Sequence, residues 1–74
     1  MKLLSKDLIK EYGFVDNEEK SNLDFEVMSK DQFDVIIKGG LFYYSNFGID
    51  YPLKDLATLK RIYKEAKSLD LKPL

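Results

Sequence analysis

The side chains that could carry out chemistry are unevenly represented in this chain of 74 residues. Histidine and cysteine are both absent, which removes the usual proton carrier near neutral pH and the thiolate nucleophile. Nucleophilic catalysis by a serine would need a base that neither residue type can supply. The serines are Ser5, Ser21, Ser29, Ser45 and Ser68. We therefore predict a protein that is not an enzyme and that uses no cofactor.

Carboxylates offer a second kind of chemistry, because Asp24, Glu26 and Asp34 fall on predicted strands and could share one face. Oxygen ligands suit hard cations, but calcium loops place their carboxylates on a tight turn with a glycine, and this chain lacks that pattern. A carboxylate pair such as Glu26 and Asp34 could do acid–base work only in a concave, dry site, which so small a domain rarely encloses. We predict no metal site and interpret these acids as solvated charge or as the rim of a binding surface.

Basic residues gather towards the C-terminus. Residues 1–52 carry a net charge of −4, and residues 53–74 carry +3. Four bases of the last predicted helix lie off its apolar stripe and could contact phosphates: Lys60, Arg61, Lys64 and Lys67. The segment 38–44 only partly matches an RNA-recognition strand, since no aromatic follows its first glycine. Nucleic-acid binding through this helix is therefore an alternative rather than the main prediction.

Local signals predict a helix near each end of the chain. Ser5 is a suitable N-cap, and Gly13 suits the left-handed residue after a helix over residues 6–12. Asp55 is a plausible N-cap for a second helix that ends near residue 67 or 68. That helix has an apolar stripe at spacings of three and four residues, formed by Leu56, Leu59, Ile62, Tyr63 and Ala66.

Between the helices, apolar and polar residues alternate with a period of two, which predicts strands at 23–28, 33–38 and 41–45. Gly39-Gly40 is a two-residue hairpin signal, and residues 46–52 are predicted to be a loop. The fold class is α+β, a single domain over residues 1–74. It is a three-stranded antiparallel meander with both helices on one face, in the order α-β-β-β-α.

The registers of these strands define a candidate surface. A first hairpin loop of residues 30–32 sets Val27 opposite Val35 and avoids a like-charge pair of Glu26 with Asp34. The face away from the helices then has an apolar centre with a polar rim, which is typical of a protein-binding surface. We predict partner binding through Met28, Ile36, Leu41, Tyr43, Glu26 and Asp34, with Asp24 and Lys38 also at the rim. Either a covering loop over residues 46–52 or a one-residue slip in register would remove this surface.

A short helix ending near Gly13-Phe14, a small meander and the segment 51–63 together resemble a group of small uncharacterised proteins of bacterial phages and mobile elements. The resemblance covers most of the chain and implies no catalytic residue. It implies a protein that binds and blocks a host protein, for example an inhibitor of a bacterial defence system. With 13 acids nearly balanced by 12 bases, the composition does not suit a DNA mimic.

The main prediction is thus a protein-binding module with a host protein as its partner. One alternative is the nucleic-acid-binding protein described above, and another is a homodimer that uses the apolar face as its own interface. No apolar run approaches the length that spans a bilayer, and the first residues lack the apolar stretch of a signal peptide. We therefore expect a cytoplasmic protein without membrane contact.

Overall fold

The computed structural model describes residues 3–74, so Met1 and Lys2 of the predicted domain lie outside the described residues. The elements are α1 (Lys6–Glu11), β1 (Val15–Asp16), β2 (Glu26–Lys30), β3 (Phe33–Lys38), β4 (Leu41–Asn46), β5 (Ile49–Pro52) and α2 (Leu56–Lys67). The strands form one antiparallel sheet whose spatial order follows the chain. The α+β class and the antiparallel meander are confirmed, but the sheet has five strands in the described part of the chain, not three.

Both helices begin and end where the sequence signals place them. The Ser5 hydroxyl accepts a hydrogen bond from the Leu8 N–H at 3.1 Å, and the Asp55 carboxylate accepts one from the Thr58 N–H at 2.8 Å. Each bond satisfies a backbone donor of a first turn that has no partner within the helix. Gly13 follows α1 with a φ of 94°, a left-handed conformation that glycine adopts without steric penalty.

Three hairpins join the strands from β2 to β5, each through a two-residue loop: Asp31-Gln32, Gly39-Gly40 and Phe47-Gly48. All six loop residues have positive φ, as type I′ turns require. The glycine pair was predicted as a two-residue loop, the first loop was predicted one residue longer, at residues 30–32, and the turn at residues 47–48 was not predicted. At Phe47, with a φ of 52°, the left-handed backbone costs about 1 kcal/mol relative to glycine or asparagine.

The register predicted for the first hairpin is wrong by one residue. The loop is Asp31-Gln32, so Met28 pairs with Val35 and Val27 pairs with Ile36. Because side chains alternate along a strand, a slip of one residue exchanges the two faces of β2. Met28 is therefore fully buried on the helix side of the sheet, and Val27 lies on the other side.

Contacts with the helices explain why β2 continues through Lys30. The Lys30 ammonium donates a hydrogen bond of 2.6 Å to the Tyr12 carbonyl at the end of α1. In the turn that follows, the Asp31 carboxylate accepts a bond of 3.0 Å from the Tyr63 hydroxyl of α2. Burial of the phenol, together with this bond, raises the pKa of Tyr63 above its ordinary value. These tertiary contacts fix the register, and the local pattern could not reveal them.

The segment 46–52 was predicted to be a loop and instead completes the last hairpin. Tyr44 pairs with Tyr51, and Tyr43 pairs with Pro52. Proline is tolerated here because it ends an edge strand, where its missing N–H leaves no ladder bond unmade. At the opposite edge, β1 pairs with β2, although no strand was predicted between the first helix and residue 23.

The core lies between the helices and one face of the sheet. Phe33 is its centre: its ring stacks on Tyr44 at 4.4 Å and lies 5.1 Å from the ring of Tyr63 and 6.1 Å from that of Phe14. Buried residues of both helices and of the C-terminal tail join the same cluster, which places both helices on one side of the sheet. The buried members of the cluster are Leu8, Ile9, Tyr12, Phe14, Met28, Phe33, Val35, Leu53, Leu59, Tyr63 and Leu71.

Candidate protein-binding surface

The sheet face that points away from the helices, here called the outer face, carries three of the four predicted apolar residues. Ile36 pairs with Tyr43 across β3 and β4, and directly opposed side chains share a face. Leu41 lies two residues before Tyr43 and shares that face as well. None of the three packs against the core cluster. Leu41 is 60% exposed, while Ile36 and Tyr43 are half-buried.

Met28 is the predicted site residue that the structure moves elsewhere. It lies in the core, and Val27 takes its place on the outer face with only 3% of its surface exposed. The segment 17–25 is attached beside Val27, because the Val27 carbonyl accepts a bond of 2.8 Å from the Asn17 N–H and the Val27 N–H donates one of 2.8 Å to the Ser21 hydroxyl. The segment 17–25 therefore covers the outer face at β2. Leu23, the first residue of the strand predicted at 23–28, is fully exposed in this segment instead.

An apolar groove adjoins the exposed end of the outer face. Its volume of about 360 Å³ is near the lower end of the roughly 300–1,000 Å³ that small-molecule clefts span. Leu41 and Tyr43 line it together with Pro52 and Leu3, and Leu3 is 70% exposed. Sequence reasoning missed Leu3 and Pro52. Gly48 could have indicated the position of Pro52, because a hairpin turn at residues 47–48 brings Pro52 opposite Tyr43.

Two lysines give this end of the outer face a positive charge. Lys54 lines the groove, and Lys38 pairs with Leu41 at the end of β3. Both are exposed. Among the ion pairs of residues 3–74, none includes Lys38 or Lys54. The groove is therefore apolar at its centre and basic at its border, whereas the sequence predicted a mainly acidic rim.

The acidic residues predicted to form the rim of the surface do not lie together in the structure. Glu26 lies on the helix side of the sheet, where its carboxylate is 2.8 Å from the Lys6 ammonium of α1. The hydrogen bond to Glu26 raises the pKa of Lys6. Asp24 is exposed in the segment before β2. Because Glu26 and Asp34 lie on opposite faces of the sheet, they cannot share a cation or act as an acid–base pair.

Asp34 remains on the outer face but serves as an internal anchor. Its carboxylate accepts a bond of 2.5 Å from the Ser29 hydroxyl and lies 2.6 Å from the Lys20 ammonium. The Asn17 amide donates to the same Ser29 hydroxyl at 3.0 Å. Burial tends to raise the pKa of Asp34, but the bonds from Lys20 and Ser29 outweigh it and hold the pKa below its ordinary value. The network attaches the segment 17–25 to the sheet.

Replacing Asp34 with asparagine is expected to destabilise the fold by about 1 kcal/mol at neutral pH, after allowance for solvent screening of the ion pair. A carboxylate whose pKa is lowered by folding stabilises the fold above its unfolded pKa and loses that effect as the pH falls below about 3.8. Urea denaturation of the two proteins should therefore diverge at neutral pH and converge in acid. Asp24→Asn is the control and should match the wild type throughout; a constant difference at every pH would contradict the role of the charge.

The basic stripe of α2, the nucleic-acid alternative, consists of Lys60, Arg61, Lys64 and Lys67. Arg61 lies 3.7 Å from Glu65, its neighbour one turn away. Lys64 lies 3.2 Å from Asp70, and Lys60 sits 5.4 Å above the Tyr12 ring. Lys64 and Lys67 also occupy the last turn, where cations complement the negative end of the helix dipole. Three of the four basic residues, Lys60, Arg61 and Lys64, thus have partners within the chain.

The fold and this surface define a small α+β domain with a partly apolar outer sheet face and a basic-bordered groove. Within residues 3–74, no three acidic side chains come together in a way that could hold a metal ion. Neither of the described helices has the length and apolar character needed to cross a membrane. A scan against protein-family models and searches of curated proteins and of solved structures found no match.

Proposed function

We propose that this protein is a protein-binding module without catalytic activity, and that the groove at the end of the outer face accepts an apolar side chain of its partner. The exposed apolar lining of the groove carries the proposal: Leu3 and Leu41 present most of their surface to solvent beside Tyr43 and Pro52. Contiguous apolar surface with a polar border is typical of a protein interface, whereas isolated exposed leucines are not informative.

The charge beside the groove indicates which kind of partner surface would complement it. Lys38 and Lys54 border the apolar centre, so the complementary segment has an apolar anchor with acidic side chains beside it. Two lysines and an apolar centre suit a peptide or protein surface better than a phosphate backbone, which needs several bases in a row. The resemblance to small phage proteins extends the proposal to a host protein as the partner, and that extension is supported by the resemblance alone.

The chain offers a matched pair of substitutions for testing the proposal. Leu41→Lys places a charge in the groove, and Leu23→Lys makes the same change at a fully exposed leucine outside it. Tagged wild-type protein would be used to capture a partner from bacterial lysate treated with nuclease. The purified partner would then be titrated against each variant by calorimetry.

We expect Leu41→Lys to weaken binding by more than about tenfold, because a leucine side chain buried at an interface contributes roughly 2 kcal/mol. Leu23→Lys should bind like the wild type. Lys38→Glu combined with Lys54→Glu should also weaken binding, and added salt should reduce the wild-type affinity. Equal binding by Leu41→Lys and Leu23→Lys, with both variants folded by circular dichroism, would place the interface elsewhere.

A further inference from the structure

The tip of the hairpin that joins β4 to β5 combines two unfavourable features. Phe47 is 96% exposed, and its backbone has a φ of 52°. Asparagine or glycine at this turn position would avoid both the steric penalty and the exposure of an aromatic ring. Ile49 and Tyr51 on the adjoining strand are exposed as well. A strained and apolar protrusion of this kind is explained most directly by contact with another surface.

A groove lies directly beside this protrusion, on the helix side of the sheet. It has a volume of about 450 Å³ and runs between the hairpin and α2. Tyr44 and Tyr51 form its sheet wall, with their rings 6.2 Å apart. Ile62 and Ala66 form the apolar part of its helix wall. Phe47 does not fill this groove, because almost its whole side chain is exposed to solvent.

The same groove contains one charge of each sign. Arg61 and Glu65 both line it, 3.7 Å apart on successive turns of α2, and each presents about two thirds of its side chain to solvent. So exposed a pair contributes little to the stability of the single chain. We call the surface formed by Phe47, the groove and this charge pair the hairpin face. It therefore presents a protruding aromatic side chain, an apolar groove, a cation and an anion close together.

We infer that the hairpin face binds a second copy of this chain across a two-fold axis. A two-fold interface uses the same patch on both partners, so it requires a surface that complements itself. The hairpin face meets that requirement in shape, because each Phe47 can enter the groove of the other copy. The hairpin face is also complementary to itself in charge, because Arg61 of one copy can pair with Glu65 of the other.

Two further observations favour a second copy that docks through side chains. A domain of 74 residues buries a smaller share of its surface on folding than a larger domain does, and association is a common way to add apolar burial. Pairing of edge strand β5 with a strand of the second copy is unfavourable, because Pro52 at the end of β5 has no backbone N–H to donate. The groove of the hairpin face and the groove at the end of the outer face share no lining residue. The inference thus goes beyond the proposed function and does not depend on it.

Sedimentation equilibrium of the untagged protein tests this inference. We expect a concentration-dependent dimer for the wild type and a dissociation constant about a thousandfold higher for Phe47→Asn, since two phenylalanines lose their burial. Phe47→Asn should remain folded, because asparagine suits the turn. Its melting temperature should no longer rise with protein concentration. Leu23→Asn is the matched control for loss of an exposed apolar side chain, and it should dimerise like the wild type.

Charge reversal tests the orientation of the two copies. Arg61→Glu and Glu65→Arg should each weaken the dimer by placing like charges across the axis, and the double variant should regain most of the wild-type affinity. A wild type that stays monomeric at every accessible concentration would overturn the inference. Equal dimerisation by Phe47→Asn and Leu23→Asn would also overturn it. A double variant no stronger than the single variants would contradict the two-fold exchange of Arg61 and Glu65.

Discussion

Replacing Phe33 with alanine is expected to remove most of the stability of this domain. Phe33 is buried, and its ring contacts the rings of Tyr44, Tyr63 and Phe14. Loss of a buried phenylalanine costs about 3–5 kcal/mol, partly through lost transfer free energy and partly through the cavity left behind. A domain of this length has a free energy of unfolding of roughly 4–11 kcal/mol, so this single change can remove half of that free energy or more.

Urea denaturation followed by circular dichroism would measure the effect. The midpoint should fall sharply for Phe33→Ala and only slightly for Phe47→Ala, which removes the same atoms from an exposed site. Dilute protein should be used, so that association does not contribute to the measured stability. Similar midpoints for the two variants would show that the aromatic cluster around Phe33 does not form the core.

Replacing Met28 with aspartate is the second substitution with a large expected effect, and it tests the register of the first hairpin directly. Met28 is fully buried on the helix side of the sheet, and Asp16 is its partner on β1. A carboxylate there would be buried beside another acid, and its short side chain could not reach solvent. We expect a loss of at least about 3 kcal/mol, enough to leave a marginal domain largely unfolded at neutral pH.

Ile36→Asp is the informative comparison, because Ile36 is half-buried on the outer face. Its expected cost is about 1 kcal/mol. In the register predicted from the sequence, Met28 would share the outer face with Ile36, and both variants would be similarly mild. A large difference in urea midpoint between the two would therefore support the observed register. Equal and small effects would support the predicted one.

The elements that the sequence predicts correctly are those set by local interactions. The helix caps at Ser5 and Asp55 depend on hydrogen bonds to residues three positions away. The Gly39-Gly40 turn depends on the backbone freedom of its own two residues. By contrast, the turns at residues 31–32 and 47–48 place the larger side chains of Gln32 and Phe47 at positive φ. Only the pairing of the flanking strands makes that conformation favourable, and pairing is a tertiary property.

The same distinction explains how much of the candidate surface could be predicted. Ile36, Leu41 and Tyr43 lie on the outer face because the Gly39-Gly40 turn fixes the register between β3 and β4. Met28 and Glu26 were misplaced because the register of β2 depends on contacts with α1 and α2, such as the bond from Lys30 to the Tyr12 carbonyl. Other groove residues, among them Leu3, Pro52 and Lys54, come from segments outside the hairpin of β3 and β4. Their position beside Leu41 follows only from the assembled fold.

The order of strands in the sheet also bears on how the protein reaches its fold. Each strand from β2 to β5 pairs with the strand next to it in the chain through a two-residue turn. Little loop entropy is lost when such neighbours meet, so each hairpin can form early and extend to the next. Proteins with low contact order fold quickly, on the order of milliseconds or faster. We therefore expect single-exponential refolding in which the two helices dock on a sheet that is already largely paired.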